Sequence, residues 1–381
     1  MNGVAATSAR PRVLLVSARA DTGGGPEHVH MLLRGLSGRC DFSIACPREE
    51  PYWPRFADVL GERNMLEIAS RKLVPDDLFR LRRFMQERQV DLVHSHGHGA
   101  GIVARLFAPA GSTLVHTHHG LHFAADPAWW RRAGLLGLQR LLERRTALSV
   151  FVSDDEIHAA RRIGLGGDRS VVVPNGVAVP PEPRTVETLP DRPLSVATVS
   201  RFNAQKNPEG LLAVLRELSL LGGGAPRFVF DVYGEGAERP DFAARVDASG
   251  LGGMVRLRGT VPNLASELAR HDVFFSCSRW EGLPLSVLEA MAAGLPVVLS
   301  EVDGHRDILA HCSHGAQGYA LDRPDTAAAA LERLRDPEVR ARAGAAARRC
   351  VDSRYSLDTM LSLTMSAYLS VFQSHFRTVP A

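Results

Sequence analysis

Residues 274–309 read FFSCSRWEGLPLSVLEAMAAGLPVVLSEVDGHRDIL, and this stretch decides the fold. An apolar run over Asp272–Ser276 has the length and composition of a buried strand. A polar loop carrying Glu281 and Gly282 follows it. Pro284 then opens a helix, as proline does at a first helical position where no N–H is needed. Gly294-Leu295-Pro296 ends that helix, and Pro296–Ser300 is a second short apolar run. Strand, helix and strand within some 30 residues form a βαβ unit, which requires parallel strands.

Working outward, the same alternation recurs in both directions. In the second half, strands are expected at Leu194–Ser200, Arg227–Tyr233 and Met254–Arg258, with helices at Pro208–Leu220, Asp241–Ser249 and Leu264–Arg270. The first half begins with Arg12–Ser17 as a buried strand, a Gly23-Gly24-Gly25 turn and a helix opening with Pro26. Further strands fall near Phe42–Cys46, Asp91–His94, Thr113–His116, Leu148–Val152 and Ser170–Val173. Helices lie near Asp76–Arg88, Ala100–Phe107 and Trp129 to Arg145. The Ala/Arg/Leu-rich stretch from Asp325 to about Phe372 reads as helical. Such alternation predicts two α/β halves with doubly wound parallel sheets. Five prolines between Pro180 and Pro193 mark a linker. The expected organisation is therefore a first domain over 1–180, a linker over 181–193, a second domain over 194–355 and a C-terminal helix over 356–381 that crosses back.

At 381 residues, with 45% hydrophobic and 23% charged content, the chain suits two soluble domains. A net charge of +3 gives no case for nucleic-acid binding. The five cysteines are scattered and lack CxxC spacing, so no disulfide framework is expected and a reducing compartment is. No apolar core of a signal peptide precedes Arg12, and no apolar run approaches 18 residues. A cytoplasmic protein follows, free or lying on the inner face of a membrane. The basic residues are nearly all arginine; the only lysines are Lys72 and Lys206.

The loop and helix after Ser276 can hold an anion. A helix N-terminus offers unpaired N–H groups and the positive end of a dipole, and Gly282 lets backbone come close to a ligand. Glu281 and Glu289 are spaced on the order of 10 Å apart along the axis. That span suits one carboxylate on sugar hydroxyls and the other on a ribose diol, with a diphosphate between; two ordinary surface glutamates are the alternative. Ser200-Arg-Phe-Asn-Ala-Gln-Lys206 follows the first strand of the second half, on the sheet edge where doubly wound folds bind ligands. Arg201 and Lys206 there would place two cations on the oxygens of a departing diphosphate, a charge that grows in the transition state.

The block from Glu281 to Ser300 resembles the pattern EGxPxxxLEAMAxGxPVVxS of retaining GT-B glycosyltransferases of family 4, and Arg201 with Lys206 matches that family's Arg-x4-Lys. The resemblance implies two Rossmann-like domains facing a central cleft and a sugar moved from a nucleoside diphosphate donor to a hydroxyl acceptor. Arg201, Lys206, Glu281 and His119 are the implied catalytic residues, the last from Thr117-His118-His119-Gly120, which matches the family's T-x-H-G. Gly24 and Gly25 match the glycine turn near the donor phosphate. Asn175 of Pro174-Asn175-Gly176-Val177 matches a turn at the cleft mouth, and Gly234 a turn that approaches the nucleotide. Gly282, Leu283, Pro284, Leu285 and Glu289 complete the donor-binding set. Asp303-Gly304 stands where the family has Gly-Gly, and Asp307 where it has Glu.

The family implies no metal and no cofactor beyond the nucleotide sugar. His94, His96 and His98 alternate along a strand end and could share a face, as metal ligands would, but no carboxylate cluster accompanies them. His118 and His122 read as structural neighbours of His119. The expected partners are a nucleotide-sugar donor and a glycan or lipid-linked acceptor of envelope or exopolysaccharide synthesis. The helix from Trp129 places Trp130, Leu135, Leu138, Leu141 and Leu142 on one arc and Arg132, Gln139, Arg140, Glu143 and Arg144 on another. It either lies at a membrane surface or packs on the sheet. Other readings are a sugar-nucleotide epimerase or phosphorylase on the same fold, a non-catalytic glycan-binding relative, and a metal hydrolase built on His94 and His96. Front-face displacement with retention is the expected mechanism, since no carboxylate stands out as a nucleophile.

Overall fold

The central strands of this chain are buried along nearly their whole length rather than alternately, the pattern of parallel sheets covered on both faces. The computed structural model describes residues 10–70, 74–121, 128–181, 192–221 and 226–376. It divides into two units, Met1–Val173 with Met360–Ala381, and Pro174–Thr359.

In the first unit the order is β1 (Arg12–Ser17), α1 (Gly24–Leu36), β2 (Asp41–Cys46), α2 (Tyr52–Leu60), β3 (Met65–Glu67), α3 (Pro75–Glu87), β4 (Leu92–His96), α4 (His98–Phe107), β5 (Thr113–Thr117), α5 (Trp129–Glu143), β6 (Leu148–Phe151), α6 (Asp154–Arg162) and β7 (Ser170–Val172). The strands form one parallel sheet in the order β3-β2-β1-β4-β5-β6-β7. Leu14, Val16 and Val93 pack against Leu81, Met85, Ala100 and Ala104 of α3 and α4. The second unit runs β8 (Leu194–Val199), α7 (Pro208–Leu220), β9 (Phe228–Tyr233), α8 (Arg239–Ala248), β10 (Val255–Gly259), α9 (Leu264–Leu268), β11 (Val273–Ser276), α10 (Leu285–Ala292), β12 (Val297–Ser300), α11 (His305–His311), β13 (Ala316–Tyr319), α12 (Pro324–Arg333) and α13 (Pro337–Arg354). Its sheet order is β10-β9-β8-β11-β12-β13. The last helix, α14, spans Leu357–Phe376.

The division between units falls at 173/174, ahead of the proline-rich segment, because the residues after it hydrogen-bond into the second unit. Val177 N–H donates to the Tyr355 carbonyl and Leu357 N–H to the Val177 carbonyl, each at 2.9 Å. Residues 182–191 of the expected linker, like Lys72 and His122, lie outside the described residues. From Met360 onward α14 belongs to the first unit, where the Tyr368 hydroxyl meets His94 Nδ1 at 2.7 Å.

Three expectations need correction. Helix α1 starts at Gly24, two residues before Pro26. Cys312 and Cys350 form a disulfide, while Cys40, Cys46 and Cys277 are free and buried. Their separation of 38 residues hid the pairing, which arises only when α11 and α13 meet. In α5, Gln139 is buried rather than on a solvated arc. Arg105, itself 1% exposed, needs a partner and donates to Gln139 Oε1 at 2.6 Å.

Candidate active site

Both sheets reverse their winding beside their first strand, so the loops leaving β8 and β11 diverge in one unit and those leaving β1 and β4 in the other. Ligands of doubly wound folds bind at such points.

In the second unit the loop 200–207 is held by its own side chains. Ser200 Oγ accepts from Phe202 N–H at 3.0 Å, and Asn203 Oδ1 from Lys206 N–H at 3.0 Å. Asn207, in left-handed conformation at φ 53°, caps α7 and donates Nδ2 to the Cys277 carbonyl at 3.1 Å. These bonds tie loop 200–207 to the loop after β11. Lys206 Nζ then sits 2.6 Å from Glu281 Oε1, with side chains only 12% and 8% exposed. Gln205 Nε2 donates to the other oxygen, Oε2, at 3.3 Å. Burial pushes the Glu281 carboxyl up, but the Lys206 ammonium, His305 and hydrogen bonds from Lys206 and Ser278 outweigh it and hold the group below its usual range. The sequence suggested separate jobs for these two residues; the structure binds them into one ion pair.

The neighbouring turn is shaped by close backbone approach. Gly304 has φ +81°, and a Cβ there would strike the Gly282 carbonyl and the Glu281 backbone. Glu281 N–H donates to the Asp303 carbonyl at 3.1 Å. Position 304 must therefore be glycine, whereas position 303 contributes only its carbonyl to Glu281 and tolerates aspartate. Asn175 donates Nδ2 to the Leu283 carbonyl at 2.7 Å, so it braces the donor loop. Leu283 and Leu285 are buried, and Pro284 caps α10 without any side-chain hydrogen bond to the first-turn N–H groups. Glu289 lies half-buried within α10. Gly234 follows β9 at φ +118° with its missing side chain against the Ser200 carbonyl, and Gly236 packs likewise on the Arg201 carbonyl. Both turns hold loop 200–207, and the Arg201 residue is exposed.

His305 was not singled out from the sequence. It is fully buried, with Nδ1 3.0 Å from the Ser300 carbonyl, and among the described residues Nε2 has no hydrogen-bond partner. Burial lowers it to about 4 despite the Glu281 charge. Asp307, at the family's Glu position, is buried and accepts from the Tyr355 hydroxyl at 3.1 Å.

In the first unit β4 ends in His96, and β5 ends in Thr117 with His118 and His119 directly after it. His94 uses both nitrogens, on Tyr368 and on Thr117 Oγ1 at 2.8 Å. His96 Nδ1 lies 3.2 Å from His119 Nε2, and the His28 ring of α1 packs edge-on to His119 with centroids 4.7 Å apart. His98 is elsewhere, at the start of α4 with Nδ1 2.7 Å from Gln139 Nε2, so the alternating trio is not the one the structure builds. The chain leaves the strand after His96 at Gly97, φ +78°, and the period of two ends there. His118 is buried and stacked on Phe151, a structural role.

His119 adopts φ +58°. The next residue, Gly120, donates its N–H to the buried Glu156 carboxylate, which also accepts from Val152 N–H at 2.7 Å. Burial, opposed by these two bonds, raises Glu156 to about 7. Glu156 is a positioning residue that the sequence reading missed with the whole of α6. Its signal was Ser153 three residues earlier, which caps α6 by accepting from Glu156 N–H at 3.1 Å. Gly24 and Gly25 form the first turn of α1, and a Cβ on Gly25 would meet open space. Glu27 is engaged by the Tyr52 hydroxyl at 2.5 Å and by Arg55.

Comparison with known proteins identifies the family and the fold. Residues 22–179 match the family described as Glycosyltransferase Family 4, and residues 181–350 the family of glycosyl transferases group 1. The chain is 26% identical over 297 residues to the UDP-Gal:alpha-D-GlcNAc-diphosphoundecaprenol alpha-1,3-galactosyltransferase of Escherichia coli, covering 73% of each chain. Among solved structures, sucrose-phosphate synthase of Thermosynechococcus elongatus superposes with TM-score 0.80 at 20% identity, over 96% of this chain and 100% of that one. HepE of Anabaena in complex with UDP-glucose gives 0.77 at 15% identity, over 94% and 99%. The fold is GT-B, and the chain belongs to the group 1 glycosyltransferases of family 4.

Proposed function

We propose that this glycosyltransferase moves a sugar, with retention of anomeric configuration, from a nucleoside diphosphate to a hydroxyl of a lipid-linked or polysaccharide intermediate. The observation that carries the donor assignment is the buried Lys206–Glu281 pair at the reversal point of the second sheet, beside the uncapped start of α10. When a diphosphate arrives, its oxygens compete with Glu281 for Lys206, and Arg201 adds a second cation. Charge that develops on the leaving phosphate would thus meet donors already in place. Glu281, released in part from Lys206, can accept from sugar hydroxyls, and Glu289 from the ribose diol. Gly282 through Leu285 would line the diphosphate with backbone N–H groups, while Asn175 and Gly234 keep the two loops in place. Within the first unit, His119 would meet a hydroxyl and the Gly24-Gly25 turn a phosphate. In front-face displacement the leaving oxygen assists deprotonation of the acceptor hydroxyl, and the reaction needs no metal.

A lipid-linked acceptor accords with the E. coli relative, whose name specifies a diphosphoundecaprenol substrate. It also accords with α5, where Trp129 and Trp130 are 72% and 59% exposed among arginines. Tryptophan and arginine together suit the membrane–water interface. Among the described residues no helix is long and apolar enough to cross a membrane.

The test is to incubate the enzyme with a panel of nucleotide sugars and lipid-diphosphate acceptors and read the product's anomeric configuration by NMR. Transfer with retention is expected. An inverted product, a trapped covalent glycosyl-enzyme, or donor turnover to an epimer without any acceptor would each overturn the reading. Flotation with anionic liposomes, lost on changing Trp129 and Trp130 to serine, tests the membrane contact.

A further inference from the structure

The donor site leaves unexplained why the reversal point of the first sheet should carry three imidazoles. His28 comes from α1, His96 ends β4 and His119 follows β5, and each offers a nitrogen such that all three lie within 4.8 Å of one another. We propose that His28, His96 and His119 bind a divalent transition-metal ion of the zinc class, with three imidazole ligands and a fourth position open to water or a hydroxyl.

The geometry fits this ion. Tetrahedral zinc with bonds of about 2.0–2.1 Å sets neighbouring ligand nitrogens about 3.3 Å apart, and His96 Nδ1 and His119 Nε2 are already at 3.2 Å. The ring centroids are 4.7, 5.4 and 5.5 Å apart, so the rings surround a point rather than form one stack. The donor set is all nitrogen, which selects zinc, cobalt, nickel or copper over magnesium and calcium. His94 backs the site, its ring 4.0 Å from that of His96 and both its nitrogens held by Tyr368 and Thr117. On binding, the proton shared between His96 Nδ1 and His119 Nε2 moves to the other nitrogen of its ring, so two neutral rings become ligands without net proton release. An ion there takes His119 away from any substrate hydroxyl, and zinc should inhibit transfer in a manner reversed by chelators.

The test uses the untagged full chain without donor or acceptor, so its failure leaves the transfer reading untouched. Cobalt(II) titration should develop the visible absorption of a four-coordinate ion at one equivalent, displaced by zinc. His28→Gln and His96→Gln should weaken binding at least about 100-fold, beyond the 10–100-fold cost of losing an outer-shell partner. His158→Gln, on the exposed face of α6, should change nothing. If either buried variant fails to fold by circular dichroism, half-buried His119→Gln replaces it. No such absorption, binding indifferent to all three ligand changes, or binding lost with His158→Gln would each refute the site; in the first case the trio is only a histidine–histidine hydrogen bond with a packed third ring.

Discussion

The two sheets reverse their winding at the same place, beside their first strand, yet they fill that place with opposite chemistry. The second unit buries a charged pair, Lys206 with Glu281, in which each charge offsets the desolvation of the other. The first unit buries His94, His96, His116 and His118, and meets the cost by keeping those rings neutral. Burial lowers His94 and His118 to about 3, and His96 and His116 well below the usual value. Topology decides where a ligand can enter; residue type decides whether the entry point handles charge or hydroxyls and soft ions.

The comparison breaks most sharply at the ion pair. Lys206→Ala leaves a buried carboxylate uncompensated, a change that typically costs about 3–5 kcal/mol. Urea unfolding should show that loss, together with a 10–150-fold fall in kcat/KM for a lost charge-assisted contact of about 1.5–3 kcal/mol. The double change Lys206→Met with Glu281→Gln removes both charges and should recover most of the stability but none of the transfer. If the double variant is active, the pair is structural only.

Acid should separate the two units next. A histidine whose folded value lies below its unfolded one contributes stability that is complete above pH 6.5 and lost as pH falls toward the folded value. Between pH 7.5 and 5, His94 and His118 each cost about 2 kcal/mol, at 1.36 kcal/mol per unit. Glu156 acts with the other sign. Its folded value near 7 lies above the unfolded one, so its contribution grows by about 2–3 kcal/mol over the same fall. The histidines outweigh it. In the second unit His305 has this dependence in that window, whereas the lowered Glu281 loses its contribution only below its unfolded value. Hydrogen exchange, corrected for intrinsic rates, should therefore show the amides of β4 and β5 loosening more at pH 5 than those of β11 and β12. Equal loosening would contradict the assignment of neutral buried rings, and Glu156→Gln should enlarge the difference.

The glycine turns give the smallest effect. Gly304→Ala forces a Cβ into the Gly282 carbonyl at positive φ and should cost about 1–3 kcal/mol and weaken nucleotide binding. Gly25→Ala meets open space in a helix and should be neutral or stabilise by about 0.4–1 kcal/mol. If Gly25→Ala nonetheless lowers transfer while the fold holds, the first turn of α1 touches substrate.

The periodicity and punctuation of the chain settled the number and type of most elements, since those signals are local. Helix α7 and strand β1 were read with their observed bounds, and the block from Glu281 to Ser300 located the donor loop. The short or weakly patterned elements α2, β3, α6, α11 and β13 were not read, because three to nine residues carry too little period to stand out. Contacts were beyond local reach. That Lys206 grips Glu281, that Cys312 meets Cys350, that Glu156 holds the residue after His119, and that His28 joins His96 and His119 all depend on segments 36 to 91 residues apart. The amino-acid order names the groups that can do chemistry; only folding a parallel sheet, which brings distant strand ends to one edge, decides which of them act together.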